Sequence, residues 1–212
     1  MEDHPVYSEA QPGLLARVAE PLAKRARRKR FHAYHAALGP SATDRILDIG
    51  CGPSGLAGFE PAADVTGIDA DEQPDYPGRR FVRGDATRLP FETGEFDIAY
   101  SNSLVEHLAP KARPGFASEV RRVARRYWIQ TPNRHFPVEP HVLLPAYHWL
   151  PQAAQRRLWR FGRLEGDYEP IHLLDEDELR KLFPDATILR ERFAGLTKSL
   201  IAAGPAGPSA RG

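Results

Sequence analysis

The 212-residue chain lacks the features that mark secreted, membrane-spanning or strongly basic proteins. Its single cysteine, Cys51, excludes an internal disulfide framework and fits a reducing compartment. No run approaches the roughly 18 apolar residues that cross a bilayer, and the opening MEDHPVYSEAQPG has no apolar signal core. A formal net charge of +1 gives no strong overall electrostatic attraction to nucleic acid. These absences predict a cytoplasmic globular protein.

The chain does contain an alternation of short apolar segments with helical or irregular ones. Five of these segments predict strands: RILDI (45–49), DVTGID (64–69), RRFVRGD (79–85), FDIAYSN (96–102) and RRYWIQT (125–131). A helical run at about 115–124 precedes the fifth. Strands connected in this way imply right-handed crossovers and a parallel sheet. Two later segments, 186–193 and 196–204, are separated only by Ala194 and Gly195 and predict an antiparallel hairpin.

We therefore predict an α/β, Rossmann-like, seven-stranded and mostly parallel sheet with a terminal antiparallel hairpin, in one domain over 1–204. Residues 1–40 would form N-terminal helices that end at Gly39-Pro40. A further helix would begin at Asp175, which with Glu178 has the spacing of a capping box. The aromatic, proline-rich segment 132–170 would be a lid inserted after strand five, and 205–212 a disordered tail.

The first predicted strand ends in a glycine-rich turn in which Gly50, Gly52 and Gly55 form a G-x-G-x-x-G pattern. Glycine allows the chain to turn tightly and a ligand to approach the backbone closely. Asp69 ends the next strand, about 20 residues on, where a carboxylate can accept both hydroxyls of a ribose. These residues fit NAD and S-adenosylmethionine equally well.

Three further features favour S-adenosylmethionine. Asp48 lies two residues before Gly50, where a carboxylate would repel a pyrophosphate but suits an ammonium and a sulfonium. Asp85 ends the third strand, where its carboxylate can accept a hydrogen bond from an adenine amino group. The terminal hairpin also takes the place of a sixth parallel strand.

Four segments, ILDIGCGPSG, GIDAD, GDATRLPF and FDIAYSNSLVEHL, resemble in order and spacing motifs I to IV of class I S-adenosylmethionine-dependent methyltransferases. The closest resemblance is to the type 11 group of small-molecule and lipid enzymes, over about residues 40–131. It implies that Asp48 and the backbone of Gly50, Cys51 and Gly52 hold the methionine end of the cofactor. It further implies cofactor contacts at Asp69 (ribose), at Ala70, Asp85 and Ala86 (adenine) and at Ser101 (methionine moiety). One departure is the short connector after Gly52, which leaves room for a helix of at most two turns.

Methyl transfer from a sulfonium is an in-line displacement, and a hydroxyl acceptor benefits from a general base. His107, His135 and His141 are the candidate bases. Each also has a local alternative, because His107 and Glu106 could begin the next helix and the other two could fix a proline-rich loop. The aromatic residues of 132–170 predict a partly hydrophobic, small-molecule or lipid-like acceptor, unless they form a second small core. No His/Cys cluster has metal-ligand spacing.

The run KRARRKR, Lys24–Arg30, has six cations in seven residues that point all the way round a helix. It predicts a phosphate-bearing partner, which could be an anionic membrane surface, a lipid-linked phosphate or nucleic acid, unless the run is simply solvated. The absence of a separate RNA-binding domain argues against nucleic acid. The location predicted in this way is cytoplasmic and peripheral at the membrane.

The sequence thus predicts a methyltransferase that uses S-adenosylmethionine and acts on an oxygen of a small-molecule or lipid-like acceptor. One alternative is an NAD-dependent oxidoreductase, which would bind NAD more tightly than S-adenosylhomocysteine. Another is a catalytically inactive cofactor-binding partner subunit, which would bind the cofactor without forming a methylated product.

Overall fold

The computed structural model describes residues 25, 28–60, 63–138, 146–161 and 171–205. It contains two compact units, Met1–Ala33 with Pro137–Ile171 and Tyr34–Phe136 with His172–Gly212. No helix within the described ranges is both long and apolar enough to span a bilayer. The single domain expected over 1–204 stays a prediction. The expected helix before residue 24 and most of the expected tail, 206–212, lie outside the described residues.

The second unit contains a seven-stranded sheet in the order β3-β2-β1-β4-β5-β7-β6. Five strands run parallel, and β7 pairs antiparallel with both β5 and β6. This arrangement confirms the predicted Rossmann-like sheet with a terminal antiparallel hairpin. The strands are β1 (Arg45–Ile49), β2 (Asp64–Asp69), β3 (Arg80–Arg83), β4 (Phe96–Asn102), β5 (Ala124–Pro132), β6 (Thr187–Phe193) and β7 (Leu196–Gly204).

One face of the sheet carries the main hydrophobic core. Two helices, α2 (Arg113–Val123) and α4 (Glu176–Leu182), cover this face. Their buried side chains pack on Leu47, Ile49 and Ile129 of the sheet, and burying each large side chain contributes about 1.5–3 kcal/mol. The predicted capping box at the start of α4 is confirmed: Asp175 Oδ1 accepts the N–H of Glu178 at 2.9 Å, and Glu178 Oε2 accepts the N–H of Asp175 at 3.0 Å.

The end of helix α1 (described over 28–38) belongs to the opposite face. Tyr34 is fully buried and meets the rings of Tyr100 and Trp128 edge-on, with centroids 5.3 and 5.8 Å away. Desolvation raises the pKa of the Tyr34 hydroxyl. The helix ends at Gly39, whose φ of +54° and N–H bond to the His35 carbonyl confirm the predicted glycine stop.

The first unit has a 3₁₀ turn at Tyr147–Trp149 followed by helix α3 (Gln152–Phe161). The hydroxyl of Tyr147 donates to the carbonyl of Gln155 at 3.2 Å and ties the turn to the helix. Residues 139–145 and 162–170 of the predicted lid lie outside the described residues.

Candidate active site

The turn after β1 is a left-handed glycine turn. Gly50, Gly52 and Gly55 have φ values of +71°, +55° and +45°, a region that glycine enters at little cost. A Cβ at Gly50 would lie 2.9 Å from the Leu104 side chain, and one at Gly55 would lie 2.0 Å from Oδ2 of Asp48. A Cβ at Gly52 would meet nothing within 4 Å. The protein's own side chains therefore cover the first and third glycines, and space is open at the second.

The amide groups of this turn already have acceptors. The N–H groups of Gly50 and Cys51 both donate to the carbonyl of Ile68, at 2.8 and 3.3 Å. The N–H of Gly52 donates to Oδ2 of Asp69 at 2.9 Å. The end of β2 therefore fixes the shape of the glycine turn.

Asp48 lies beneath the turn and is only 2% exposed. Its Oδ2 accepts the Leu56 N–H at 2.6 Å and the Tyr76 hydroxyl at 3.2 Å. Burial is the main cause that raises its pKa from 3.8 to about 7, and the nearby charge of Asp69 adds to the rise. Asp48 thus organises the turn from within, and its direct contact with the methionine end of the cofactor stays a prediction.

The connectors after β1 and β2 contain no regular helix among their described residues. Residues 52–59 form consecutive turns instead of the expected helix of up to two turns, although Gly58 still donates to the Ser54 carbonyl at 2.9 Å. Pro53 has no N–H to donate, and the two following glycines disfavour a longer helix.

Tyr76, in the connector between β2 and β3, lies against β2. A Cβ at Gly67 would lie 2.6 Å from the Tyr76 ring and 2.8 Å from Cys51 Sγ. Burial raises the pKa of the Tyr76 hydroxyl, and the charge of Asp48 raises it further. Tyr76 therefore remains a neutral hydrogen-bond donor to Asp48.

Asp69 and Asp85 lie at the carboxyl ends of neighbouring strands. Asp69 pairs with Arg83 in the ladder, and Gly84 donates to the Asp69 carbonyl at 2.8 Å just before Asp85. Asp69 Oδ1 accepts the Asp71 N–H at 3.1 Å. Asp85 Oδ1 accepts both the N–H and the hydroxyl of Thr87 at 2.8 Å, and these bonds hold the Asp85 pKa below its usual value. The sheet therefore brings together the two carboxylates assigned to ribose and adenine.

The other residues assigned to the cofactor occupy the same edge with different exposure. Ala70 is exposed, Ala86 is half-buried and Cys51 is buried. Burial raises the pKa of the Cys51 thiol. Ser101 is fully buried, and its hydroxyl donates to the Ile49 carbonyl at 2.9 Å. Any contact of Ser101 with the cofactor would therefore involve its backbone.

The candidate bases follow β4 and β5. His107 is exposed, and its N–H donates to the Leu104 carbonyl at 2.9 Å in a turn that precedes α2. His135 is also exposed and lines a concavity of about 340 Å³ together with Asn133, Asp175, Glu176, Asp177, Thr197 and Leu200. His141 lies outside the described residues. The catalytic roles of all three stay predictions.

The structure adds two buried charged residues that the sequence analysis did not assign. Glu106 is fully buried, and its Oε2 accepts the Thr131 hydroxyl at 3.0 Å. Arg113 donates to the carbonyls of Leu108 and His172, and its burial lowers its pKa. The sequence signal for the burial of Glu106 is its apolar surroundings in the segment SLVEHL (103–108), which favour an inward position for this segment.

Comparison with known proteins agrees with this geometry. Residues 47–127 match a family model described as a methyltransferase domain. The phthiotriol/phenolphthiotriol dimycocerosates methyltransferase of Mycobacterium leprae is 33% identical over 132 residues, which cover 56% of this chain and 47% of that protein. The demethylmenaquinone methyltransferase of Beutenbergia cavernae is 37% identical over 97 residues, with coverage of 42% and 40%. The chain thus spans less than half the length of these relatives.

A solved structure shows the same fold. Magnesium protoporphyrin IX methyltransferase from Synechocystis, with bound S-adenosylhomocysteine, has a TM-score of 0.59 at 16% identity and covers 93% of this chain and 89% of its own. At that identity the likeness establishes the fold.

The sheet order is that of the methyltransferase fold, and residues 47–127 match a methyltransferase domain. This match coincides with the segment, at about residues 40–131, in which the four sequence motifs resemble a type 11 methyltransferase. A methyltransferase domain does not agree with the NAD-dependent oxidoreductase alternative, which is not retained.

Proposed function

We propose that this protein transfers the methyl group of S-adenosylmethionine to an oxygen of a small-molecule or lipid-like acceptor. When bound, the cofactor supplies an electrophilic methyl group on a sulfonium, and the protein aligns the acceptor and excludes water.

The bonding of the glycine turn carries this proposal. Because Gly50, Cys51 and Gly52 donate their N–H groups to β2, the turn does not offer the amide donors that a pyrophosphate needs. The carboxylate of Asp69 also gives this edge a negative potential. Such a site suits a ligand with an ammonium and a sulfonium.

The remaining acceptor capacity of the two outer carboxylates fits the nucleoside. Each carboxylate oxygen of Asp69 accepts one hydrogen bond, from the N–H of Gly52 or of Asp71. Because a carboxylate can accept about four hydrogen bonds, both ribose hydroxyls can still donate to Asp69. Both donors to Asp85 bind Oδ1, which leaves Oδ2 for the adenine amino group. Asp48 acts mainly through the turn that it holds.

An exposed histidine at the acceptor edge can take the proton of a hydroxyl. His135 is our first candidate because it lines the concavity beyond β5, and His107 is the second. A lipid-like acceptor is supported by relatives named for dimycocerosates and for demethylmenaquinone, and an oxygen acceptor by the triol in one of those names.

The test combines binding with turnover. Calorimetric titration should show tighter binding of S-adenosylhomocysteine than of NAD. Incubation with methyl-labelled S-adenosylmethionine and a lipid extract should then yield a labelled product. Alkaline hydrolysis should release labelled methanol from that product if the new bond is a methyl ester, and should not if it is a methyl ether. Cofactor binding without any labelled product would support the inactive partner subunit instead. A labelled amine or carbon product would refute the oxygen acceptor alone.

We also propose that Lys24–Arg30 contacts an anionic membrane surface. Arg25, Arg28 and Lys29 are exposed, whereas Lys24 and Arg27 lie outside the described residues. Each cation near such a surface contributes about 1 kcal/mol. Replacing Arg25, Arg28 and Lys29 by Gln should therefore weaken binding to anionic vesicles and leave the affinity for S-adenosylhomocysteine unchanged.

A further inference from the structure

Gln130 is a buried side chain of β5 whose amide group is only half used. The residue is 1% exposed, and its Oε1 accepts the Ser103 hydroxyl at 3.1 Å. Its Nε2 can donate two hydrogen bonds but has no acceptor in the part of the chain that the structure describes. A buried donor without an acceptor is costly, so this amide favours a ligand that supplies an acceptor.

The amide nitrogen of Gln130 can be reached by a ligand. Among the described residues, the polar atoms that are sealed from solvent without a hydrogen bond all lie elsewhere, so Nε2 meets accessible space. Ser103, whose hydroxyl holds the amide, is half-buried, as is Leu104 beside it. A ligand seated over Ser103 can therefore accept a hydrogen bond from Nε2.

The pair formed by Ser103 and Gln130 lies next to the glycine turn. Gln130 pairs in the ladder with Asn102, the last residue of β4. Leu104 directly follows Ser103, and its side chain would lie 2.9 Å from a Cβ at Gly50. The Gln130 amide is therefore at the carboxyl edge of the sheet, beside the turn assigned to the methionine end of the cofactor.

The backbone of Ser103 has a conformation that suits glycine better than serine. Its φ is +59°, which few residues other than glycine adopt. Its N–H donates to the Gln130 carbonyl at 3.0 Å, so its backbone and its hydroxyl both bind the same residue. A glycine would take this φ at lower cost but could not hold the amide. The serine side chain therefore orients Gln130 and leaves Nε2 for another partner.

We propose that Gln130 donates a hydrogen bond from Nε2 to the acceptor oxygen, and that Ser103 is the positioning residue that holds its amide. This inference rests on the proposed function and deepens it, because it gives a reason for the preference for oxygen. An oxygen has two lone pairs, so one can accept from Nε2 while the other attacks the methyl carbon. A neutral amine has one lone pair and cannot do both.

The transfer that Gln130 orients balances as a displacement at carbon. The oxygen lone pair that Gln130 leaves free forms the new C–O bond, while the S–CH₃ bond breaks and its electron pair stays on sulfur. The hydroxyl proton leaves to the candidate base. Gln130 itself neither gains nor loses a proton, since its amide only binds and orients the oxygen.

Gln130→Glu in the full chain tests the amide donor. Glutamate keeps the shape of the side chain and an acceptor for Ser103, but its ionised form has no donor. At about pH 9, with methyl-labelled S-adenosylmethionine and limiting lipid extract, the oxygen-methylated product should form about tenfold more slowly or less. The affinity for S-adenosylhomocysteine should stay within about twofold of the wild type. A rate within about twofold of the wild type would overturn the inference.

The pH dependence of that loss separates a missing donor from a merely structural defect. Protonation of the introduced carboxyl restores an O–H donor. The rate of Gln130→Glu relative to the wild type should therefore rise as pH falls from about 9 to about 5. An equal ratio at both pH values would overturn the inference.

Ser103→Gly is a second variant, and it places no charge in the protein interior. Because glycine suits a φ of +59°, the free energy of unfolding should stay close to that of the wild type. The rate should still fall roughly fivefold, since the Gln130 amide is no longer held. The matched control, Ser41→Gly, removes an exposed hydroxyl that lies 3.1 Å from the Thr43 hydroxyl before β1, and should leave the rate unchanged. An unchanged rate in Ser103→Gly would overturn the inference.

The labelled product separates this inference from the proposed function. An oxygen-linked product whose rate of formation neither variant alters would overturn this inference alone. A wild type that methylates only nitrogen or carbon would refute the oxygen acceptor, and this inference with it. Slower oxygen methylation by both variants, with intact affinity for S-adenosylhomocysteine, supports both.

Discussion

The phenol of Tyr76 donates a hydrogen bond to the carboxylate of Asp48, at 3.2 Å and across 28 positions of the chain. The same oxygen accepts the Leu56 N–H. One buried carboxylate therefore joins the segment that follows β1 to the segment that follows β2. Neither connector has a regular helix among its described residues. Hydrogen bonds to Asp48 therefore organise the cofactor side of the sheet.

The first prediction concerns the pH dependence of stability. Because burial raises the pKa of Asp48 from 3.8 to about 7, the folded protein retains a proton that the unfolded chain loses. The free energy of unfolding should therefore fall as pH rises between these values, by at most about 1.4 kcal/mol per unit from this group. Asp48→Asn should remove that slope in urea unfolding at about pH 5 and about pH 8. An identical slope in the variant would show that Asp48 is ionised throughout.

Tyr76→Phe tests the hydrogen bond to Asp48. Loss of a donor to the charged carboxylate should raise the Asp48 pKa further, by about one unit. The midpoint of the stability change with pH should move upward by the same amount, as carboxyl resonances in NMR would also report. If the midpoint stays in place, the hydroxyl does not bond to the ionised form.

Gly52→Ala tests the open space in the glycine turn, with Gly94→Ala as its matched control. Both glycines have positive φ, +55° and +71°, and a Cβ at either would meet nothing within 4 Å. Each substitution should therefore cost about 1–2 kcal/mol of stability through backbone strain. Only Gly52→Ala should also weaken the binding of S-adenosylhomocysteine, as measured by titration calorimetry. Equal affinities would place the ligand elsewhere.

Asp69→Asn and Asp64→Asn compare the two ends of β2. Asp69 ends the strand beside the glycine turn, whereas Asp64 begins it and pairs with exposed Arg79 at 3.0 Å. Loss of the charged acceptor for the ribose should cost about 1–3 kcal/mol of binding, or about 5- to 150-fold in Kd. The Asp64→Asn variant should bind S-adenosylhomocysteine with the affinity of the wild type. Similar Kd values for both variants would contradict the ribose assignment.

Replacement of the candidate bases tests the chemistry of the acceptor edge. Replacement of the true base by Ala should lower kcat by about 10²- to 10⁴-fold and leave the affinity for S-adenosylhomocysteine unchanged. We expect this loss for His135 and a smaller one for His107, with exposed His32 of α1 as the control. If the His107, His135 and His141 variants all leave kcat unchanged, the acceptor loses its proton without a histidine.

The strands could be predicted closely because their signals are local. The bounds of β1, β2 and β4 coincide with the predicted ones, since each strand is a short and mostly buried run. β3 is shorter than predicted because Gly84 bonds to the Asp69 carbonyl and the chain turns at Asp85. α2 begins two residues earlier than expected, with Pro114 in its first turn.

The positions of the assigned acids on the sheet could be predicted, but not their surroundings. The sequence places Asp48, Asp69 and Asp85 at strand ends, and the sheet brings these ends together. The burial of Asp48 depends on Tyr76, a contact across 28 residues that no spacing rule encodes. The inward position of Glu106, beside exposed His107, likewise depends on Thr131 of another strand.

The amide bonds of the glycine turn have a consequence for how the ligand associates. Hydrogen bonds to the Ile68 carbonyl and to the Asp69 carboxylate fix Gly50, Cys51 and Gly52 to β2. Little backbone entropy then remains to be lost at this loop when the nucleoside arrives. Association should thus proceed as a single preorganised docking step, free of a slow ordering phase.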